Sequence, residues 1–188
     1  MTGNWQLALH SISYGGVWPG QARLALEDFV PRAAELGYQA IMPAAKRPHL
    51  SLLDYPAMEP ERRRQLRALV EQHGLRVACL AAYTDFTAGP DRPDIPLWEH
   101  QAIYIAELAR LAQELGCPLI RVFTGYERAG LSHGAAWGRL VEALRECARQ
   151  AARYGVVLAV QNHHDLAVHH ESLYRLLSEV DHPHCRAA

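Results

Sequence analysis

Residues 157–165 read VLAVQNHHD, four apolar residues that pass without a break into two amides, two imidazoles and a carboxylate. The apolar run is too short for an ordinary helix, and its lack of polar alternation suits a strand covered on both faces, as in a parallel sheet. Amphipathic stretches over residues 135–154 and 169–180 flank it, so one buried strand stands between two helical patterns. Polar groups crowded at the carboxyl end of such a strand take the place where α/β folds put their chemistry.

The same alternation extends back through the chain. Strand candidates lie at residues 6–13, 40–44, 76–82, 119–124 and 157–161, and helical patterns at 20–36, 60–73, 97–115, 135–154 and 169–180. In the third helical pattern Ile103, Leu108, Leu111 and Leu115 mark an apolar face, with Glu107, Arg110 and Glu114 opposite. The segments ELGY, EQHGL and ELGC end three helices at a glycine, where a left-handed cap residue belongs. Strands alternating with helices predict parallel pairing through right-handed crossovers, in either an open doubly wound sheet or a (β/α) barrel.

The first strand runs into HSISYGGVWPG, which has no GxGxxG turn leading into a helix. Polar residues stand at the end of every strand: His10, Lys46, Asp85, Arg121 and residues 161–164. Both points favour the barrel, with a complete small open sheet as the alternative. A barrel takes eight βα units; about five are legible, and DHPHCRAA at 181–188 reads as a turn and the opening of a sixth strand. The expected fold class is α/β, a partial (β/α)8 TIM barrel forming one incomplete domain over residues 1–188. Open sheet edges and an uncovered apolar face predict a fragment of a longer protein that forms homo-oligomers through its barrel edges.

Composition narrows the ligand class. Hydrophobic residues make up 49% and charged residues 21%, as in globular proteins, and the net charge of −1 creates no field that would gather nucleic acid or an anionic membrane. No segment resembles a signal peptide or the roughly 20 apolar residues of a membrane span. Cys79, Cys117, Cys147 and Cys185 are scattered and make no CxxC pair, which suits reduced thiols in a cytoplasmic protein. Trp5, Trp18, Trp98 and Trp137 show no stacking periodicity and read as packing residues. A small-molecule ligand is the expectation.

Taken in order, AAKRPHLSLLDY, YTDF, LIRVFTGY and LAVQNHHD resemble the xylose isomerase-like TIM-barrel superfamily, the sugar phosphate isomerase and epimerase group that also includes endonuclease IV-type proteins. The resemblance implies proton transfer beside a carbonyl of a sugar or polyhydroxylated acid, assisted by a divalent metal (Mn, Mg, Co or Zn). Gln161 stands where that family usually carries a metal-binding glutamate. Its amide oxygen can coordinate a hard cation, but it brings no charge and cannot act as a base. Met42 likewise lies near a place where many relatives have a glutamate. The family's remaining ligands, an Asp, a His and a second Glu, would fall beyond residue 188. This chain alone is therefore expected to bind metal weakly or not at all and to be inactive, with no catalytic residue assigned.

Asn162 and His163 match the family's substrate-facing N-H pair, although Asn162 can equally cap its loop. Asp165 can orient His164, but is expected instead to open the next helix as an N-terminal anion. Lys46, Arg47 and His49 form a compact cationic loop able to hold a carboxylate, a phosphate or hydroxyls, or else a surface loop stiffened by Pro48 and bridged by Asp54. Asp85 either points into the rim or caps a turn, and Arg121 is either ion-paired or ligand-binding. His10 is a polar contact of the barrel interior or a satisfied core-edge residue. His169, His170, His182 and His184 match no zinc spacing and read as a solvated face. Two functions follow: a metal-dependent isomerase or epimerase, and a non-catalytic sugar-binding barrel that has lost its carboxylates. A nuclease reading lacks both ligands and a basic groove.

Overall fold

In the computed structural model, residues 6–89, 95 and 97–188 are described. The chain divides into two compact units, Met1–Ala81 with Leu111–Pro118, and Ala82–Arg110 with Leu119–Ala188.

In the first unit, β1 (Ala8–His10) leads through a 3-10 turn (Ser11–Tyr14) to α1 (Leu26–Glu35), β2 (Ala40–Met42), α2 (Pro60–Gln72), β3 (Arg76–Val77) and β4 (Leu80–Ala81). The strands are parallel, with Leu9 opposite Ile41 and Ile41 opposite Val77. Helix α1 places Phe29, Val30 and Ala33 in the core, and Ile41 of β2 is equally buried. Burying one such large side chain contributes roughly 1.5–3 kcal/mol. Gly37 and Gly74 follow α1 and α2 at φ values of 83° and 67°, the left-handed conformation their helix ends require. Arg63 of α2 is only 2% exposed; it donates from Nε to the Tyr55 carbonyl and from Nη1 to Glu114, both at 3.0 Å.

The second unit contains most of α3 (Leu97–Glu114), then β5 (Leu119–Val122), α4 (His133–Ala152), β6 (Val157–Val160), α5 (His170–Val180) and β7 (Cys185–Ala187). Strands β5, β6 and β7 are parallel, with Ile120 opposite Leu158 and Leu158 opposite Cys185. Ser132 caps α4 by accepting from the Ala135 amide. The four cysteines are free, and burial pushes the Cys147 and Cys185 thiols up to about 12, so both behave as small hydrophobes. Among the described residues, no helix is long and apolar enough to cross a membrane.

Several elements differ from the sequence expectation. Helix α1 begins at Leu26 rather than near residue 20. Gly20 adopts φ 78°, and the Gln21 side chain accepts from Val17 N and donates to Ile12 O, tying the loop over residues 15–21 back to the 3-10 turn. The third strand is split because Pro43, in the facing chain, has no N–H to extend the ladder; pairing resumes at the Ala44–Ala81 bridge. Asp165 does not open α5, which starts at His170 after its cap His169. His182 and His184 lie in the turn before β7, where His184 Nδ1 donates to Val156 O, rather than on a solvated helix face. Trp137 is buried, but Trp18 is 60% exposed and does not pack. Trp5 lies outside the described residues.

Candidate functional site

The sequence-predicted residues fall into one strand-end group in each unit. In the first, His10 Nδ1 donates to Met42 O at 2.8 Å. Ser11, which sequence reading passed over, is fully buried, and its hydroxyl accepts from Ala44 N at 2.8 Å. Lys46 is half-buried. Arg47 turns to Asp54, with Nε 2.9 Å from Oδ2 and Nη2 2.7 Å from Oδ1, and holds that carboxyl below its ordinary range. The Arg47 side chain is 63% exposed, so this pair adds little stability.

His49 differs from its neighbours. It is 2% exposed, packs its ring 5.9 Å from Phe29, and has no well-formed hydrogen bond at either ring nitrogen. Burial lowers its pKa, with help from the nearby charges of His10 and Lys46; the Tyr14 and Leu24 carbonyls oppose that shift without reaching good hydrogen-bond geometry.

In the second unit the loops at the strand ends are laced together. Asp85 Oδ1 accepts from the Thr87 amide at 3.1 Å and the Thr87 hydroxyl at 2.9 Å, while Oδ2 pairs with Arg128. The same Thr87 hydroxyl accepts from Tyr126 N at 2.8 Å. Between them sits Gly125, at φ 142°, where an added Cβ would lie 2.6 Å from Thr87 Oγ1. Gly125 O then accepts from Leu166 N at 2.9 Å. Asp165 accepts from Thr124 N at 2.9 Å through one oxygen and from Ala167 N at 3.1 Å through the other. Asn162 Nδ2 donates to Ala167 O at 2.9 Å. Asp85 and Asn162 thus take the loop-holding roles open to their residue types.

Arg121 lies within β5, 4% exposed, with its guanidinium 3.9 Å from the Phe123 ring centroid and 5.2 Å from that of Tyr83. The His163 ring is 4.5 Å from Phe123 and 3.9 Å from His164. Burial, then His164, lowers the His163 pKa, and its Nδ1 is buried without a hydrogen bond. Thr124, fully buried at the end of the same strand, has no partner for its hydroxyl. Sequence reading missed Thr84, Thr87, Thr124, Gly125 and Arg128. A hydroxyl residue just past a strand, as at Ser11, Thr84 and Thr124, was the available signal.

Gln161 is half-buried, and its backbone amide donates to Val122 O at 3.1 Å. Both Asp165 oxygens are committed to amides, and the described residues contain no group of three His, Cys, Asp or Glu side chains able to hold a metal. This donor set does not fit a divalent-metal centre.

A family model described as xylose isomerase-like TIM barrel matches residues 30–188. The chain belongs to this family. No curated protein gives a significant match. Among solved structures, the probable 3-DHS dehydratase AsbF involved in petrobactin synthesis from Bacillus anthracis is 22% identical with a TM-score of 0.74. A D-psicose 3-epimerase with D-tagatose from Clostridium cellulolyticum H10 is 16% identical with a TM-score of 0.75. In both cases the match covers 97% of this chain and 62% of the other. A xylose isomerase-like TIM barrel protein from Mycobacterium smegmatis, in complex with magnesium, is 16% identical with a TM-score of 0.70, over 97% of this chain and 63% of that one. At these identities the likeness concerns the fold, which is a partial (β/α)8 TIM barrel. The chain spans less than two thirds of the length of these barrels.

Proposed function

We propose that this chain is the substrate-binding part of a sugar (phosphate) isomerase or epimerase-like barrel, acting as one incomplete domain over residues 1–188. The reaction class is proton transfer beside a carbonyl. The observation that carries this reading is a pair of buried polar atoms at the strand ends of the second unit that have no hydrogen-bond partner among the described residues, Nδ1 of His163 and the Thr124 hydroxyl. Buried polar groups are nearly always paired, so orphans gathered at strand ends mark where a ligand's hydroxyls or ordered water complete the bonding. In this reading Arg121 and His163 are the ligand contacts of the second unit, and His10, Lys46 and His49 those of the first.

The chain alone binds rather than converts. Gln161 is neutral at the position of the family's carboxylate and cannot take a proton, and the donor set holds no metal firmly; a divalent cation belongs to a barrel that has the additional ligands. In its cellular setting the protein is a cytoplasmic homo-oligomer joined through open sheet edges. A second reading, a sugar-binding barrel without catalysis, is favoured by Gln161 together with Met42 at the two carboxylate positions.

Titration with Mn(II) and with D-psicose checks the proposal. The expected result is no stoichiometric metal binding and no epimerisation, with sugar-induced NMR shifts confined to strand-end residues such as His49 and His163. Tight one-to-one Mn(II) binding, turnover, or shifts away from the strand ends would overturn it. In a polypeptide with all eight strands, turnover separates the enzyme from the binding barrel.

A further inference from the structure

We infer that the second unit carries an anion subsite, built around Arg128 and Arg139 in the cavity beside Thr87, whose ligand is a phosphate monoester. The cavity measures about 440 Å³, within the roughly 300–1,000 Å³ of small-molecule sites. Thr87 reaches it from the loop after β4, Glu127 and Arg128 from the loop after β5, and Arg139 from α4. None of the strand-end ligand contacts proposed above lines it.

The charges favour an anion. Arg139 makes no hydrogen bond or ion pair among the described residues. Arg128 gives one Nη to Asp85, and the rest of its planar fork of N–H donors stays available for an oxyanion. Glu127 is the acidic lining residue; its side chain is 79% exposed and lies 3.4 Å from His133 Nδ1, so solvent screens it. Asp85 offsets Arg128, so the charge left over is that of Arg139, faced by the exposed Glu127 carboxylate that His133 also approaches, and the N–H donors of both guanidiniums remain for an oxyanion. The lacing of Thr87 to Asp85 and Tyr126 fixes the wall that carries Arg128, so a phosphate meets a formed site.

The inference deepens the proposed function and rests on it only for the sugar attached to the phosphate. The test is an NMR titration of the whole chain at low ionic strength with inorganic phosphate, a neutral sugar (D-fructose) and its 6-phosphate, repeated in Arg139→Gln and Arg139→Lys. Arg139 is solvent-exposed, so neither variant threatens the fold. The expected result is saturable phosphate binding that shifts signals of residues 87 and 127–131. The sugar phosphate binds more tightly than phosphate alone, Arg139→Gln weakens both by about tenfold, and Arg139→Lys recovers part of the loss. An adventitious response, non-saturable or equal in wild type and Arg139→Gln, overturns the subsite. If the neutral sugar still binds in that case, the proposed function stands without the phosphate. If phosphate binds through Arg139 but neither sugar adds affinity, the anion site is supported and the sugar reading fails.

Discussion

Replacing Asp165 by alanine isolates the side chain that ties two strand-end loops together. Its carboxylate is the acceptor for the Thr124 and Ala167 amides, at 2.9 and 3.1 Å, and both of those residues are fully buried. A hydrogen bond to a charged group contributes about 1.5–3 kcal/mol, and a buried donor left without a partner costs about 1–3 kcal/mol. Two such amides give an upper figure of about 6 kcal/mol. Asp165 is itself only half-buried, so water can reach part of the vacated space, which brings the expected loss to about 2–4 kcal/mol. The adjoining Leu166 N to Gly125 O bond survives and limits the loop's relaxation. Asp165→Asn keeps one acceptor oxygen and should lose about half as much. At about 2–4 °C per kcal/mol for a chain of this size, Asp165→Ala lowers Tm by roughly 4–16 °C. The local readout is amide exchange: protection of Thr124 and Ala167 should fall sharply in Asp165→Ala while amides of α1 are unchanged. A Tm within about 2 °C of wild type with normal exchange at both amides would refute the reasoning, as would equal losses in the Ala and Asn variants.

Gly125→Ala places a Cβ 2.6 Å from the Thr87 hydroxyl at φ 142°, and should cost more than about 2 kcal/mol. Thr87→Ala removes the nearest of the contacts, leaving Asp85 Oδ1 at 2.9 Å and Thr87 N at 3.0 Å, so the double variant should be less destabilised than the sum in a double-mutant cycle, and strict additivity would contradict the proposed close approach. His49 has a folded pKa lowered from 6.5 by burial beside His10 and Lys46. Its unfolded form therefore takes up a proton that the folded form refuses, and stability is full above that value and falls as pH drops below about 6.5. His163 contributes in the same direction. His49→Leu should flatten the fall in Tm between about pH 7.5 and 5.5, and an unchanged slope would show that His49 is not the group responsible.

The order of strands and helices was legible because it rests on local signals. Periodicity separates short buried runs from amphipathic helices, and the glycines at 37, 74 and 116 take the positive φ their helix ends demand. What escaped was non-local. The break in the third strand comes from Pro43, just past the end of β2. The late start of α1 depends on Gln21 satisfying Ile12 and Val17. Neither partner is visible in a window read along the chain.

The same distinction governs the strand-end residues. Sequence position brings Asp85, Asn162 and Asp165 to the rim, but only contacts with the loops after β5 and β6 show that their polar atoms are committed to backbone, Thr87 and Arg128. In the second unit, the described strand-end atoms left without hydrogen-bond partners include an imidazole nitrogen of His163 and the Thr124 hydroxyl. Neutral donors and acceptors of this kind suit a ligand rich in hydroxyls, whereas drawing a proton from carbon or holding a divalent cation calls for an uncommitted carboxylate. The carboxylates near these loops serve as scaffold, and the position that could have supplied another carries Gln161.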